Sequence, residues 1–345
     1  MNQQPNIDLY TRNGFAGPAT TLVRRQYAPG YTRVEGSYVP RRFNTSRLDP
    51  HVLTAPRALP LPLLEGDGVQ VCAWWRNQAT EFAIRNVHHD ELHFVLSGRA
   101  TLETDFGALD VRPGDFVLIP RAVSYRLTGV EALRELIVST RTWLRVEPEV
   151  VPAVLNVDLH VDAPQVREVS GDPVPDSGEY ELVVRHGKQT TSYFYDYDPL
   201  SIAAVVGHPV VRRFNLENVQ GLAVANGGLQ PSRLINDDTT NNLVFYLGSR
   251  RSDRPPVHHN ADYDEVIVFA SGPGHYGAID VPGTITWTPK GIIHQGPDED
   301  MPEGYVAWLL ETRSDLHATP EALRISQLME TSQFGVHPTD TTEAV

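Results

Sequence analysis

Cysteine is almost missing from this chain: Cys72 is the only one in 345 residues. A lone thiol excludes an intramolecular disulfide framework and a cysteine-rich zinc site, and it fits a reducing compartment. Long apolar runs are missing too, and none approaches the roughly 18–20 residues that span a bilayer. The opening stretch MNQQPNIDLYTRNG lacks a basic segment followed by an apolar one, so no secretory signal is expected. Positive charge is scarce. With 29 Lys and Arg against 43 Asp and Glu, the net charge is −14, which repels nucleic acid and anionic membranes. Helical periodicity is rare as well. What these absences leave is a soluble protein, expected in the cytoplasm, with 41% hydrophobic and 21% charged residues, the composition of a folded globular chain.

Turn formers are plentiful by contrast: 26 Gly and 27 Pro are spread along the whole length. Between them lie short β-branched and aromatic runs. VQVCAWW (69–75), LHFVLSG (92–98), RATLETD (99–105), DFVLIP (115–120) and YRLTG (125–129) form one series. YELVVRHG (180–187), TTSYFYDY (190–197), NLVFYLG (242–248), DEVIVFASG (264–272), GTITWTP (283–289) and YVAWLLETR (305–313) form another. Such spacing predicts an all-β protein of sandwich or barrel units. The best helix signal is ATPEALRISQLMET, where Thr319 can cap and Pro320 occupies the first helical position. Leu323, Leu328 and Met329 would give that helix an apolar face. RRFNLENVQGL (212–222) suggests a short helical turn, and VHPTDTTEAV a polar tail.

Two segments repeat one pattern. Glu91, six residues, Gly98, then Gly114, five residues, Pro120 matches Glu265, six residues, Gly272, then Gly283, five residues, Pro289. This predicts two copies of one barrel. RVEPEVVPAVLNVDLHVDAPQ (145–165), rich in Pro and charge, is the natural connection. The expected units are 1–160 and 161–345, the second carrying the helix.

The second copy holds the polar residues that carry chemistry. His258, one residue, Asn260, four residues and Glu265 precede Gly272, and Pro289, one residue, Gly291, two residues and His294 close the pattern. Residues two apart on a strand share a face, so 258 and 260 can both point inward, towards Glu265 and His294. Two imidazoles and one carboxylate on one face leave open positions on an octahedral ion, the facial arrangement of non-haem Fe(II) sites. Zinc or manganese could also occupy such a set. His258 and His259 compete for one position, and Asn260 is a candidate ligand or a hydrogen-bonding neighbour. Asp264 is expected to face solvent, and Trp287 to pack in the core. The first copy differs. His89, Glu91 and His93 are close in sequence, but Tyr125 stands where His294 does in the second copy, and Ile84 and Asn86 stand where His258 and Asn260 do. Structural polar residues are expected there, without a metal.

The paired pattern resembles the two motifs of the cupin family, small β-barrels that hold a metal inside. Further stretches, RPPVHHNADYDE, GHY (274–276), GPD (296–298), DFGALDVRPGD, GHPVVRRFNLENV, TRNGFAG and VPRRFNTSRL, resemble homogentisate 1,2-dioxygenase and its relatives over most of the chain. The resemblance implies a bicupin with a degenerate first barrel and one ferrous ion in the second. It also implies oxygen-dependent cleavage of a ring with two para hydroxyls. The ligands would fall on His258 or His259, Glu265 and His294. Aligning RPP without a gap selects His259, and aligning His-x-Asn selects His258. Tyr276 would lie near substrate, with His275 beside it. TPKGIIHQGPD supplies only one histidine, and the loop NGGLQPSRLIND (226–237) supplies none. Those departures, with the chain length, turn the expectation towards the large subunit of two-component hydroquinone 1,2-dioxygenases. The implied partners are a small aromatic diphenol and dioxygen, with a small cupin-like subunit or a second copy of the chain. The competing class is a non-oxygenase cupin that binds sugar, isomerises or regulates.

Overall fold

In a computed structural model, the structure describes residues 6–14, 17–26, 29–146, 155–166, 178–220, 222–223, 229–250, 256–272, 279, 281–297 and 301–340. Strands dominate, and the described α-helices are three short ones, Pro50–Leu53, Val157–His160 and Pro320–Arg324. None is long and apolar enough to cross a membrane. This is the all-β architecture expected of a bicupin, built on an 11-stranded and an 8-stranded sheet.

The repeat seen in sequence extends to individual hydrogen bonds. Gly114 N–H donates to the Val95 carbonyl at 2.9 Å, and Gly283 N–H to the Phe269 carbonyl at 2.8 Å. Both glycines have φ of 86°, a left-handed conformation that side chains disfavour. Asp90 accepts the N–H groups of Arg121 and Leu144; Asp264, its counterpart, accepts those of Lys290 and Leu316. Asp264 is therefore not solvent-facing as expected, but fully buried. The outward faces of the two sheets pack on each other, so the side of a strand that would meet water in an isolated barrel meets the other unit. Leu92, Phe94 and Phe116 join Val266, Val268, Trp308 and Leu310 in one core. Phe94 and Phe116 lie edge-on to Trp308, with ring centroids 5.7 and 5.6 Å apart, a favourable aromatic geometry. Trp287 is buried in that core as expected, and its Nε1 donates to Asp264 Oδ2 at 3.0 Å.

The strand pairing crosses the expected line between residues 160 and 161. Arg41–Asn44 pairs with Thr284–Thr288 and with Ser326–Leu328 in the 8-stranded sheet. In return, Tyr180–His186 runs parallel to Ala83–Asn86, and Arg212–Asn215 pairs with Asp115–Ile119, in the 11-stranded sheet. Ile7–Thr11 lies parallel to His258–Asn260 and antiparallel to Ala19–Val23. The amino-terminal hairpin thus reaches the second unit's histidine strand. Sequence self-similarity could not show this exchange, because the exchanged strands lie outside the repeated motif.

At the carboxy-terminal helix, Thr319 Oγ1 accepts the Ala322 N–H at 3.2 Å with Pro320 in the first turn, as expected. The helix ends at Arg324, however, and Ser326–Leu328 continues as a strand. Leu323 consequently faces solvent rather than the core, where Ala322, Ile325 and Met329 are buried. Edge pairing to Arg41–Asn44 outweighs the helical pattern. The turn foreseen near 212–222 is a 3-10 helix at Leu216–Asn218.

Candidate metal centre

His258 and His294 face each other across two backbone hydrogen bonds of 3.0 and 2.9 Å. Their rings lie 4.2 Å apart, centroid to centroid. Each ring is oriented by its own backbone: His258 Nδ1 donates to the Pro256 carbonyl at 3.1 Å, and His294 Nδ1 to the Ile292 carbonyl at 2.9 Å. That leaves the Nε2 atoms directed at Glu265, 3.6 Å from Oε1 for His258 and 3.2 Å from Oε2 for His294. Among the described residues, one group of three ligating side chains, His258, Glu265 and His294, brings its ligand atoms within 4.8 Å of one another.

These residues fit a metal ion. Nδ1–H bonded to a carbonyl is the tautomer that presents Nε2 as a ligand. Adjacent ligand atoms about 2.1 Å from a common ion would lie about 3 Å apart, near the spacing found. Glu265 Oε1 is buried with no hydrogen-bond partner among the described residues. The electrostatics ask for positive charge. Burial would raise the Glu265 carboxyl, but His294 and His258 outweigh it and hold the group below the usual carboxylate range. Burial would lower His258, and the Glu265 carboxylate raises it instead. A cation among the three would answer the same demand.

The choice between adjacent histidines is decided by the pleat. His259 points to the opposite side, where Nδ1 meets Asp8 Oδ1 at 2.8 Å on the amino-terminal hairpin. Asn260 is otherwise engaged: Oδ1 accepts the N–H groups of Asp262 and Tyr263, and Nδ2 donates to Glu311 at 3.3 Å. Its oxygen braces the turn beside the triad, its amide nitrogen holds Glu311, and the side chain lines the same cavity as His258 and Glu265. His275 and Tyr276 lie outside the described residues.

A cavity of about 170 Å³ opens on two members of the triad, His258 and Glu265, with Asn260 and Glu311 completing its polar side. The amino-terminal hairpin covers it through Leu9, Thr11 and Gly14. Glu311 was missed from sequence. The signal was there in YVAWLLETR, a carboxylate ending an apolar strand, but only pairing places it opposite Glu265.

The first unit repeats this frame with different contents. Asn86 caps the same turn, accepting the N–H groups of His88 and His89. Ile84 and Tyr125 are paired neighbours there, as His258 and His294 are in the second unit. The buried Glu91 carboxylate accepts hydrogen bonds from Asn86 at 3.0 Å, Tyr125 at 3.0 Å and Arg185 at 2.9 Å. Burial alone would raise Glu91; Arg185 above all reverses this and brings it down to about 2. A guanidinium from the exchanged strand occupies the electrostatic role of a cation. His93 Nδ1 lies 3.4 Å from Glu135. Burial would lower this imidazole, but Glu135 and Glu91 lift it to about 9. His89 precedes the strand and packs edge-on against His88, apart from the inward pair Glu91 and His93.

The raised His93 predicts a pH-dependent stability. Its contribution is complete below the ordinary histidine value of 6.5 and is lost as pH rises through about 9. Denaturant midpoints should fall across that window, by the equivalent of about 3 kcal/mol. A His93→Gln variant, less stable overall, should lack the slope. Parallel slopes in both proteins would contradict the assignment.

No family model matches the chain. It is 22% identical over 205 residues to a protein of Saccharolobus solfataricus to which a dioxygenase activity is attributed, a match covering 56% of this chain and 52% of that protein. The chain therefore spans about half the length of that curated relative. A salicylate 1,2-dioxygenase from Pseudaminobacter salicylatoxidans aligns with 10% identity and a TM-score of 0.45, covering 83% of this chain and 89% of its own. An oxalate decarboxylase variant from Bacillus subtilis aligns with 14% identity and a TM-score of 0.41, covering 89% of this chain and 87% of its own. At those similarities the chemistry has to come from the site itself, and the site offers two imidazoles and a carboxylate close together, with His258 and Glu265 facing a small, hairpin-covered cavity.

Proposed function

We propose that this chain is a non-haem Fe(II) dioxygenase of the bicupin type that opens a 1,4-dihydroxylated aromatic ring, hydroquinone or a substituted hydroquinone. One observation carries the reading: among the described residues His258, Glu265 and His294 bring three ligand atoms together, and two of them, His258 and Glu265, line a cavity. Three ligands on one face leave open positions for both a phenol oxygen and dioxygen. Dioxygenase activity attributed to the Saccharolobus relative supports the reaction class, and the sequence likeness to homogentisate and hydroquinone dioxygenases supports the substrate class.

Ferrous ion, when bound, would supply a Lewis acid that favours the phenolate and a one-electron path between ring and oxygen. The chain's own residues hold and orient. His258, Glu265 and His294 would bind the ion, with the two imidazole rotamers set by backbone carbonyls. Leu9 and Pro256 present apolar surface to a ring, and the hairpin limits water at the site. Holding both reactants in one small volume is a large part of the rate advantage.

The test is oxygen uptake by the anaerobically Fe(II)-reconstituted protein with hydroquinone, homogentisate and gentisate. Consumption of one O2 per ring opened is expected with hydroquinone. Metal retained with no uptake on any of the three would favour the non-oxygenase class.

A further inference from the structure

The two units form an internal comparison that isolates what the second one has added. Asn86 and Asn260, Asp90 and Asp264, and Glu91 and Glu265 match in type and place. Three of the places that differ gain a ligating or acidic group in the second unit: Ile84 against His258, Tyr125 against His294, and Ser139 against Glu311. The last correspondence follows from register, since Ser139 pairs with Glu91 and Glu311 with Glu265. Glu311 thus arrives together with both histidines.

Its setting is costly. Glu311 is fully buried beside another carboxylate. Oε1 accepts from Asn260 at 3.3 Å, whereas Oε2 has no hydrogen-bond partner among the described residues. A buried polar oxygen without a partner is costly, so a fold retaining one invites a functional reason. The backbone beside it is shaped to spare that oxygen. Gly14 has φ of 58°, and a Cβ at this position would lie 2.0 Å from Oε2. Gly14, Glu311, His258 and Glu265 all line the same cavity.

We infer that Glu311 is a ligand-contact residue, whose Oε2 accepts a hydrogen bond from a hydroxyl of the molecule bound at the triad. The inference rests on the diphenol reading and deepens it: the group recognised is a protic one, O–H, delivered next to Glu265. Asn260 is a positioning residue, fixing the carboxylate through Oε1. Burial and the neighbouring Glu265 carboxylate raise the Glu311 carboxyl well above the usual carboxylate range, and Arg233 opposes them, as a cation bound at the triad would.

Calorimetric titration of hydroquinone into the Fe(II)-loaded full chain without oxygen, with metal content measured on the same samples, tests this. Glu311→Gln keeps an acceptor for Asn260, and Glu311→Met removes both oxygens. Gly14→Ala removes no polar atom but displaces Oε2. All three should retain wild-type metal content. Hydroquinone affinity should fall about tenfold in Glu311→Gln and Gly14→Ala, and further in Glu311→Met, as expected for the loss of a hydrogen bond. Unchanged affinity in all three would overturn the inference while leaving the proposed function standing. So would loss of metal in the Glu311 variants, which would make Glu311 a ligand of the ion. A metal-loaded wild type that neither binds hydroquinone nor takes up oxygen with any diphenol would remove the proposed function, and the inference with it.

Discussion

His294→Ala and Glu265→Ala should each emerge from reconstitution and dialysis without bound metal and without oxygen uptake, while melting as folded proteins. Among the described residues three ligating side chains converge here, so losing one leaves two of these donors and an ion held largely by water. Changing a residue that merely orients a ligand already costs about 10–100-fold in metal affinity, and a ligand itself should cost more. The barrel should survive, because the His258–His294 backbone pair holds these segments together whatever their side chains. His259→Ala is the control: its ring faces Asp8, not the cavity, and metal content should not change. Elemental analysis with a melting curve decides it. Full metal content in both His294→Ala and Glu265→Ala would show the ion to be elsewhere.

The other large effect is expected in the first unit, on stability rather than activity. Arg185→Met should destabilise the protein by about 3–5 kcal/mol, the cost of leaving a buried carboxylate without its partner. Glu91 and Arg185 are both buried, and the pair meets at 2.9 Å, so solvent offers little screening. Adding Glu91→Gln should restore much of the loss, because the unpaired charge is then gone and Asn86 and Tyr125 retain an uncharged partner. The double-mutant cycle measured by urea unfolding isolates the coupling. A loss below about 1 kcal/mol in Arg185→Met would mean that water reaches Glu91 after all.

Much of the site was legible because its pattern is written in short-range spacing. His258, Glu265, Gly272, Gly283, Pro289 and His294 sit at turn-determined intervals, and local geometry carries them to one face. The pair His258 and His259 was not resolvable from spacing. Its answer depends on which face of the strand meets the barrel, and that is set by pairing with Ile7–Thr11, nearly 250 residues away. Asp264 failed for a related reason: strand alternation says that it points away from Glu265, but not that the far side is covered by the other unit. Leu323 failed because a helical pattern was outcompeted by an available sheet edge.

By itself, the sequence determined the all-β class, the repeated frame, and Glu265 and His294 with one of the pair His258 and His259 as residues able to share an ion, because each depends on propensity, turn chemistry and separations of a few tens of residues. Tertiary structure alone decided that Arg185 crosses to neutralise Glu91, that Glu311 stands opposite Glu265, and that Gly14 closes over it. Those contacts join residues 94, 46 and 297 positions apart. No local preference encodes such meetings; they follow from strand exchange and register, which emerge when the two sheets pack.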